Sequence, residues 1–283
     1  MITSLAKKIL EIDIEKKTFQ LKKRDDLSYI IGGVGLSMRL YQEFRGKKPL
    51  IFSIGPLNGF FPFCSKTSVF FGVKNNVYDY YIGGSLSNRI KFSGLDAIVI
   101  LGKSRSDVFL DIQDEQVTFL DYGVDFHSQG LPGRRSIIEF KTNKYLLDNY
   151  FRFSGNEADS FLNFKNISGI VISGTHNFHV KDKKAYDELY KEILTRYEYL
   201  TVKKDSFPSC SGCPMGCKNS SIGENSGNFL VHSIVGCQYA KKLYSNKDLL
   251  ISCLNVLGYP YTHEDIEKYL DNLYNLQSEF IFK

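Results

Sequence analysis

Three cysteines stand close together in Cys210-Ser211-Gly212-Cys213-Pro214-Met215-Gly216-Cys217, at the spacing C-x2-C-x3-C. Thiolates brought together by the chain suit a soft metal, and three from one loop leave a tetrahedral or cubane site short of one ligand. An iron–sulfur cluster is the chemistry this spacing suits first. A structural zinc ion and a loop without metal both stay open. Zinc knuckles pair C-x2-C with a second C-x2-C or an H-x3-5-H, and no such second half follows.

The five histidines add little. His127, His176, His179, His232 and His263 form no H-x3-H or H-E-x-x-H pattern. His176 and His179 are an i, i+3 pair after a strand, which reads as polar surface, and His232 draws interest only through its neighbours. Cys253 falls on an apolar helical face and reads as a small core residue, as buried free cysteines do.

A loop of this kind needs ordered structure on both sides. Before it, residues 181–199 have helical spacing, with Tyr186, Leu189, Tyr190, Ile193 and Tyr197 on one side. Residues 201–209 are polar, with Pro208 near the end, and predict a boundary. After the loop, 245–257 and 262–277 read as helices, the second with Thr262 as N-cap and Glu264 and Asp265 in its first turn.

Upstream, alternation over 8–14 and 18–22 around Glu15-Lys16-Lys17 predicts a hairpin whose core face is Leu10, Ile12, Ile14, Phe19 and Leu21. Ile30-Ile31-Gly32-Gly33-Val34-Gly35 opens a helical pattern through Leu36, Leu40 and Phe44. Its G-G-x-G lacks the third glycine and the later acid of a dinucleotide loop. Strands are predicted at 49–54, 67–72, 95–101 and 168–173, with a hairpin over 108–112 and 116–120. Residues 134–150 have the spacing of a helix. The aromatics of 60–63 and 78–81 are expected to fill the core or an emptied pocket and not to stack on a ligand. The fold class is α+β: a β-rich N-terminal domain over 1–205, then the cysteine loop and a short helical region over 206–283.

The chain has 283 residues, 43% hydrophobic and 24% charged, enough for one large or two smaller cores and unlike a disordered chain. Its +5 net charge is spread along the sequence without a basic face, so no nucleic-acid partner is expected. Apolar runs fall far short of the roughly 20 residues that span a bilayer. The six cysteines and the polar amphipathic start at Met1 predict a reducing, cytoplasmic setting.

The ordered segments Ile9-Leu10-Glu11-Ile12-Asp13, Gly32-Gly33-Val34-Gly35-Leu36, Ile54-Gly55-Pro56-Leu57-Asn58-Gly59, Lys91-Phe92-Ser93-Gly94-Leu95-Asp96-Ala97-Ile98, and Lys165-Asn166 before Ile170-Val171-Ile172-Ser173-Gly174 carry a resemblance. They resemble the N-terminal domain of tungsten-containing aldehyde ferredoxin oxidoreductases. The resemblance implies two β-sheets forming the base for a bis-pterin tungsten cofactor. Beside that cofactor a [4Fe-4S] cluster passes electrons to ferredoxin. Cys210, Cys213 and Cys217 fall where the family keeps three cluster ligands. The fourth comes from a third domain, in proteins about twice this length.

Several positions depart from the family. Lys66 stands where an arginine bridges pterin and cluster, and lacks its planar fork. Tyr81-Ile82-Gly83-Gly84 puts a ring where an Asn precedes the glycines. A second pterin-side arginine has no counterpart over 155–163. Gly227-Asn228-Phe229-Leu230 matches an acid-bearing Pro-Glu-Tyr-Glu segment, to within about one residue, and holds neither carboxylate. Asn255-Val256-Leu257-Gly258-Tyr259-Pro260 matches an Asp-x-x-Gly-Leu-Asp pterin motif and keeps only its glycine. Lys66, Gly83, Gly84, Asn255 and Gly258 are thus the remnants of the pterin site. Since positioning and acid–base residues contribute about 10²–10⁴-fold each, these losses count against tungstopterin and against autonomous catalysis.

The expectation is an iron–sulfur protein serving electron transfer or assembly for a tungsten or molybdenum enzyme, with ferredoxin or such an enzyme subunit as partner. A true aldehyde oxidoreductase completed by a separate chain, and a structural relic with zinc or no metal, are the alternatives. Cys64, two residues before Lys66, is the first choice for fourth ligand and Cys237 the second. A partner protein, or an exogenous thiolate or water, could also fill that position. A homo-oligomer or a heteromeric complex is expected, since the start of a second domain would leave apolar surface to be covered.

Overall fold

Strand β1 (Lys7–Asp13) buries side chains on both faces, so layers must cover it from either side. The computed structural model describes residues 5–121, 123–225 and 227–282, and the start at Met1 lies outside them. β1 pairs antiparallel with β2 (Thr18–Arg24) as the alternation predicted. The predicted core face holds only on β1, however. Phe19 and Leu21 are 37% and 38% exposed, because β2 is the edge of its sheet and only partly covered.

Then follow α1 (Gly33–Phe44), β3 (Leu50–Ser53), β4 (Thr67–Val73), β5 (Asn76–Ile82), α2 (Leu86–Phe92) and β6 (Ala97–Leu101). β7 (Val108–Gln113) and β8 (Gln116–Asp121) form the second predicted hairpin. Residues 134–150, expected as a helix, are instead β9 (Arg135–Lys141) and β10 (Lys144–Leu147), closed by Thr142 and Asn143 in left-handed conformation. Serial Ile137-Ile138 and Tyr145 serve strand alternation as well as helical spacing, and the turn decides between them.

β11 (Phe151–Arg152), α3 (Glu157–Phe164), β12 (Ile167–Ser173) and α4 (Lys183–Thr195) complete the first part. The remainder holds β13 (Glu224–Asn225), α5 (Phe229–Ser233), α6 (Lys241–Tyr244), α7 (Lys247–Val256), α8 (His263–Gln277) and β14 (Ile281–Phe282). Thr262 caps α8 in a reciprocal box with Asp265.

One sheet runs β13-β5-β4-β3-β6-β1-β2, with β14 also on β5, and the other runs β11-β10-β9-β12-β7-β8. One core lies between the sheets, where Leu10, Ile12, Phe52, Phe71 and Ile100 meet Leu110, Ile112, Ile138 and Ile172. A second core covers the opposite face of the first sheet. There Ile9, Ile51, Phe70 and Val99 meet Leu36 and Leu40 of α1, Leu250 and Leu254 of α7, and Ile266 of α8. This double burial explains the near-continuous apolar reading of β3 and β6. The architecture is α+β, and β13, which follows the cysteine loop, joins the first sheet beside Tyr80 and Tyr81.

Candidate metal centre

The cysteine loop is anchored by backbone bonds on either flank. The amides of Asp205 and Phe207 donate to Met215 and Gly216 at 2.8 and 3.0 Å, and the Ser211 amide donates to Gly84 at 3.0 Å. The Asn88 amide also donates to the Ser211 hydroxyl at 2.6 Å. Gly216 has φ +50°, and a Cβ there would stand 2.6 Å from the Asp205 carbonyl, so the turn between Cys213 and Cys217 requires glycine.

Cys210, Cys213 and Cys217 line one small cavity, of about 30 Å³, together with Cys237, Lys66 and the apolar side chains of Phe63, Leu200, Val202 and Met215. Among the described residues no three His, Cys, Asp or Glu side chains gather as a single metal ion needs. A zinc ion holds four donors at about 2.0–2.3 Å from one point. A cubane spreads its four thiolates over separate irons. The donor set and the largely apolar walls fit an iron–sulfur cluster in chemistry.

Cys64 is not in this cavity. It is fully buried in the α-helical core, close to Cys253 and to the Tyr244 hydroxyl, which also donates to the Pro62 carbonyl at 2.6 Å. Burial pushes its thiol well up. Cys237 is the additional cysteine that joins the loop. Its thiol donates to Glu224 at 3.2 Å, and its amide donates to the Phe63 carbonyl at 2.8 Å.

Lys66 points to the same place. Its ammonium lies 3.0 Å from Glu224 with both side chains almost wholly buried. Burial works against that charge, but the Glu224 carboxylate outweighs it and holds the ammonium above the usual lysine range. Glu224 was not legible in sequence: a lone Glu in a Gly-Glu-Asn loop carries no motif. It stands three residues before the segment 227–230 in which no carboxylate was found.

The remaining pterin-side remnants have structural occupations. A Cβ on Gly83 would stand 2.5 Å from the Cys210 sulfur, and one on Gly84, at φ +87°, 2.8 Å from Leu147. Both glycines therefore let the cysteine loop and β10 close on β5. Tyr81 is fully buried, donates to Asp79 at 2.5 Å and stacks on His232. Asn255 is exposed near the end of α7, and Gly258 ends that helix at φ +95° with its amide on the Asn255 carbonyl, as a helix C-cap. Neither lines the cysteine cavity.

The histidines do not converge. His127 lies 3.3 Å from Glu139, His176 3.4 Å from Asp114 and His263 2.8 Å from Asp248. His176 and His179 line one surface cavity, which no other histidine of the chain lines. Phe61 and Phe63 are buried, as are Tyr80 and Tyr81 of β5. Among the described residues no helix is long and apolar enough to cross a membrane.

Comparison with known proteins agrees with this architecture. A tungsten-containing aldehyde ferredoxin oxidoreductase of Pyrococcus abyssi is 27% identical over 186 residues, which cover 57% of this chain and 30% of that protein. Among solved structures, the active site complex BamBC of benzoyl coenzyme A reductase, in complex with 1,5-dienoyl-CoA, superposes with a TM-score of 0.58 at 19% identity. That likeness, over 75% of this chain and 38% of the other, is one of fold. The chain thus spans well under half the length of either relative. The family described as aldehyde ferredoxin oxidoreductase, N-terminal domain, matches residues 9–150. On that match over half its length, the chain belongs to the aldehyde ferredoxin oxidoreductase family.

Proposed function

We propose that this chain is an iron–sulfur member of its family that serves electron transfer, or assembly, for a tungsten or molybdenum enzyme and does not itself turn over aldehydes. Its cluster would be held through Cys210, Cys213 and Cys217 and would supply one-electron transfer.

The observation that carries the reading is the packing of Tyr81. Tyr81 stands in the segment before Gly83-Gly84 where the resemblance expects an Asn facing pterin, and its buried ring rests on His232 with no gap between them. Lys66 is committed to Glu224. A lysine paired with a buried carboxylate offers no planar fork for phosphate, and the Tyr81 hydroxyl is buried with its proton given to Asp79. The residues present therefore do not fit tungstopterin. A heteromeric setting is supported by the solved structure it resembles, itself a complex.

The test is anaerobic purification with metal analysis and an electronic spectrum on one sample. About four irons per chain with broad visible absorbance and no tungsten or molybdenum is the expected result. Stoichiometric tungsten or molybdenum, with dye reduction by an aldehyde once a partner chain is added, would overturn it in favour of a catalytic subunit completed in trans.

A further inference from the structure

We propose that Cys237 is the fourth thiolate, so that this one chain supplies a complete ligand set with Cys210, Cys213 and Cys217. The inference rests on the iron–sulfur reading above and adds the source of the last ligand.

Position is the first argument. Of the cysteines outside the loop, Cys237 lines the cavity that the three loop cysteines line, whereas Cys64 and Cys253 are sealed in the core among Tyr244 and the helices. Both are 0% exposed, and neither lines the cavity, although Phe63, Ser65 and Lys66 around Cys64 do.

Backbone conformation is the second. Val235 has φ +53° and Phe63 has φ +65°, left-handed values that a β-branched or aromatic residue rarely takes. Strain of this kind persists only where the surroundings over-determine it, and it clusters at functional sites. Both strained residues act on this one place. The Phe63 carbonyl takes the Cys237 amide at 2.8 Å, and the Val235 carbonyl takes the Lys66 amide at 3.1 Å. The turn through Val235 and Gly236 thus delivers Cys237 to the cavity while fixing the buried lysine beside it. An unstrained turn would serve a purely apolar wall equally well.

Charge is the third. A cluster held by four thiolates is an anion, and a buried anion requires a nearby cation. Lys66 lines the same cavity and is the buried cation there, with Glu224 as its other contact. Cys237 now donates to that carboxylate at 3.2 Å; losing its proton on binding iron leaves Glu224 to Lys66 and to the Gln238 amide at 3.0 Å.

The experiment is anaerobic reconstitution of the full chain with ferrous and ferric iron in equal amounts and sulfide, read by iron content and electron paramagnetic resonance after brief ferricyanide oxidation and after dithionite reduction. Wild type and Cys64→Ser are expected to take about four irons and give the same reduced signal. Cys237→Ala is expected to fall to about three irons with an oxidised three-iron signal, or to bind added small thiol at the open iron. Cys237→Ser, which retains an oxygen donor, should instead keep the iron and shift the spectrum. Circular dichroism of the metal-free variants checks that each folds. The proposal is overturned if both Cys237 variants match wild type, or if Cys64→Ser gives the three-iron signal. Wild type that takes up no iron and sulfide sinks the iron–sulfur reading itself; wild type that does so while Cys237 proves indifferent sinks only this inference.

Discussion

Tyr81 lies nearly flat on the imidazole of His232, ring centroids 3.7 Å apart and planes inclined by 23°. Both rings are fully buried, and neither ring nitrogen of His232 has a hydrogen-bond partner among the described residues. Burial pushes the imidazole down to about 4, so it is neutral at ordinary pH. Tyr81→Ala should cost about 3–5 kcal/mol in urea unfolding, as large aromatic truncations in cores do. His232→Leu removes two unsatisfied nitrogens at similar volume and should leave stability unchanged or raise it by about 1–2 kcal/mol. A loss of comparable size to that of Tyr81→Ala would mean that the imidazole has a polar role.

Under the same ring, Asp79 gives a pH signature. Burial pushes its carboxyl up to about 7, against the hydrogen bonds from Tyr81 and Ser68, which lower it. The folded state therefore holds a proton that the unfolded chain releases near pH 4. Stability from this group is complete below about pH 4 and is lost as pH rises through about 7. A three-unit difference bounds the effect at about 4 kcal/mol. Asp79→Asn should flatten the fall in unfolding free energy between about pH 4 and pH 8 relative to wild type. Lys165, pushed down to about 7 by burial, gives stability that grows as pH rises from there, so only the wild-type minus variant difference isolates Asp79. Identical slopes for the two proteins would refute the assignment.

The parts of the fold that sequence made legible are those where local chemistry leaves one solution. Thr262 with Asp265 three residues on reads as a cap and is one, and the two hairpins follow from apolar segments set on either side of charged turns. The segment 134–150 was misread because its apolar spacing suits both periods, and only the left-handed pair Thr142 and Asn143 separates them. At the site, the loop cysteines were visible because they are adjacent in sequence. The choice of Cys64 over Cys237 rested on nearness to Lys66 in the chain. The stretch around them is irregular, with Phe63 in left-handed conformation, so Phe63, Ser65 and Lys66 line the cysteine cavity while Cys64 between them does not. Glu224 reaches Lys66 only through the pairing of β13 with β5, a contact between positions 158 residues apart in number.

The Lys66–Glu224 pair sets a third prediction. Truncating one partner leaves an uncompensated buried charge, so Lys66→Met or Glu224→Leu alone should cost about 3–5 kcal/mol. The double variant Lys66→Met with Glu224→Leu should recover most of that loss, because a buried pair is often worth no more than apolar side chains of like volume. Urea unfolding of the four metal-free proteins completes the cycle. Additive losses would show that the two side chains do not interact across their 3.0 Å contact.

Gly83 and Gly212 separate steric support of the cysteine loop from its backbone strain. A methyl on Gly83 would stand 2.5 Å from the Cys210 sulfur and 3.2 Å from the Phe151 ring, so the loop or β11 must move. Gly83→Ala should lower stability by about 1–3 kcal/mol through overpacking. It should also reduce iron uptake, since the displaced group is a proposed ligand. Gly212→Ala meets no atom within 4 Å but sits at φ +70°, so it should cost roughly 1 kcal/mol of strain and leave Cys210 where it is. If both variants lose stability while only Gly83→Ala loses iron, it is the seat of Cys210 on β5 that fixes the ligand geometry. Equal iron loss in both would shift that role to the flexibility of the loop.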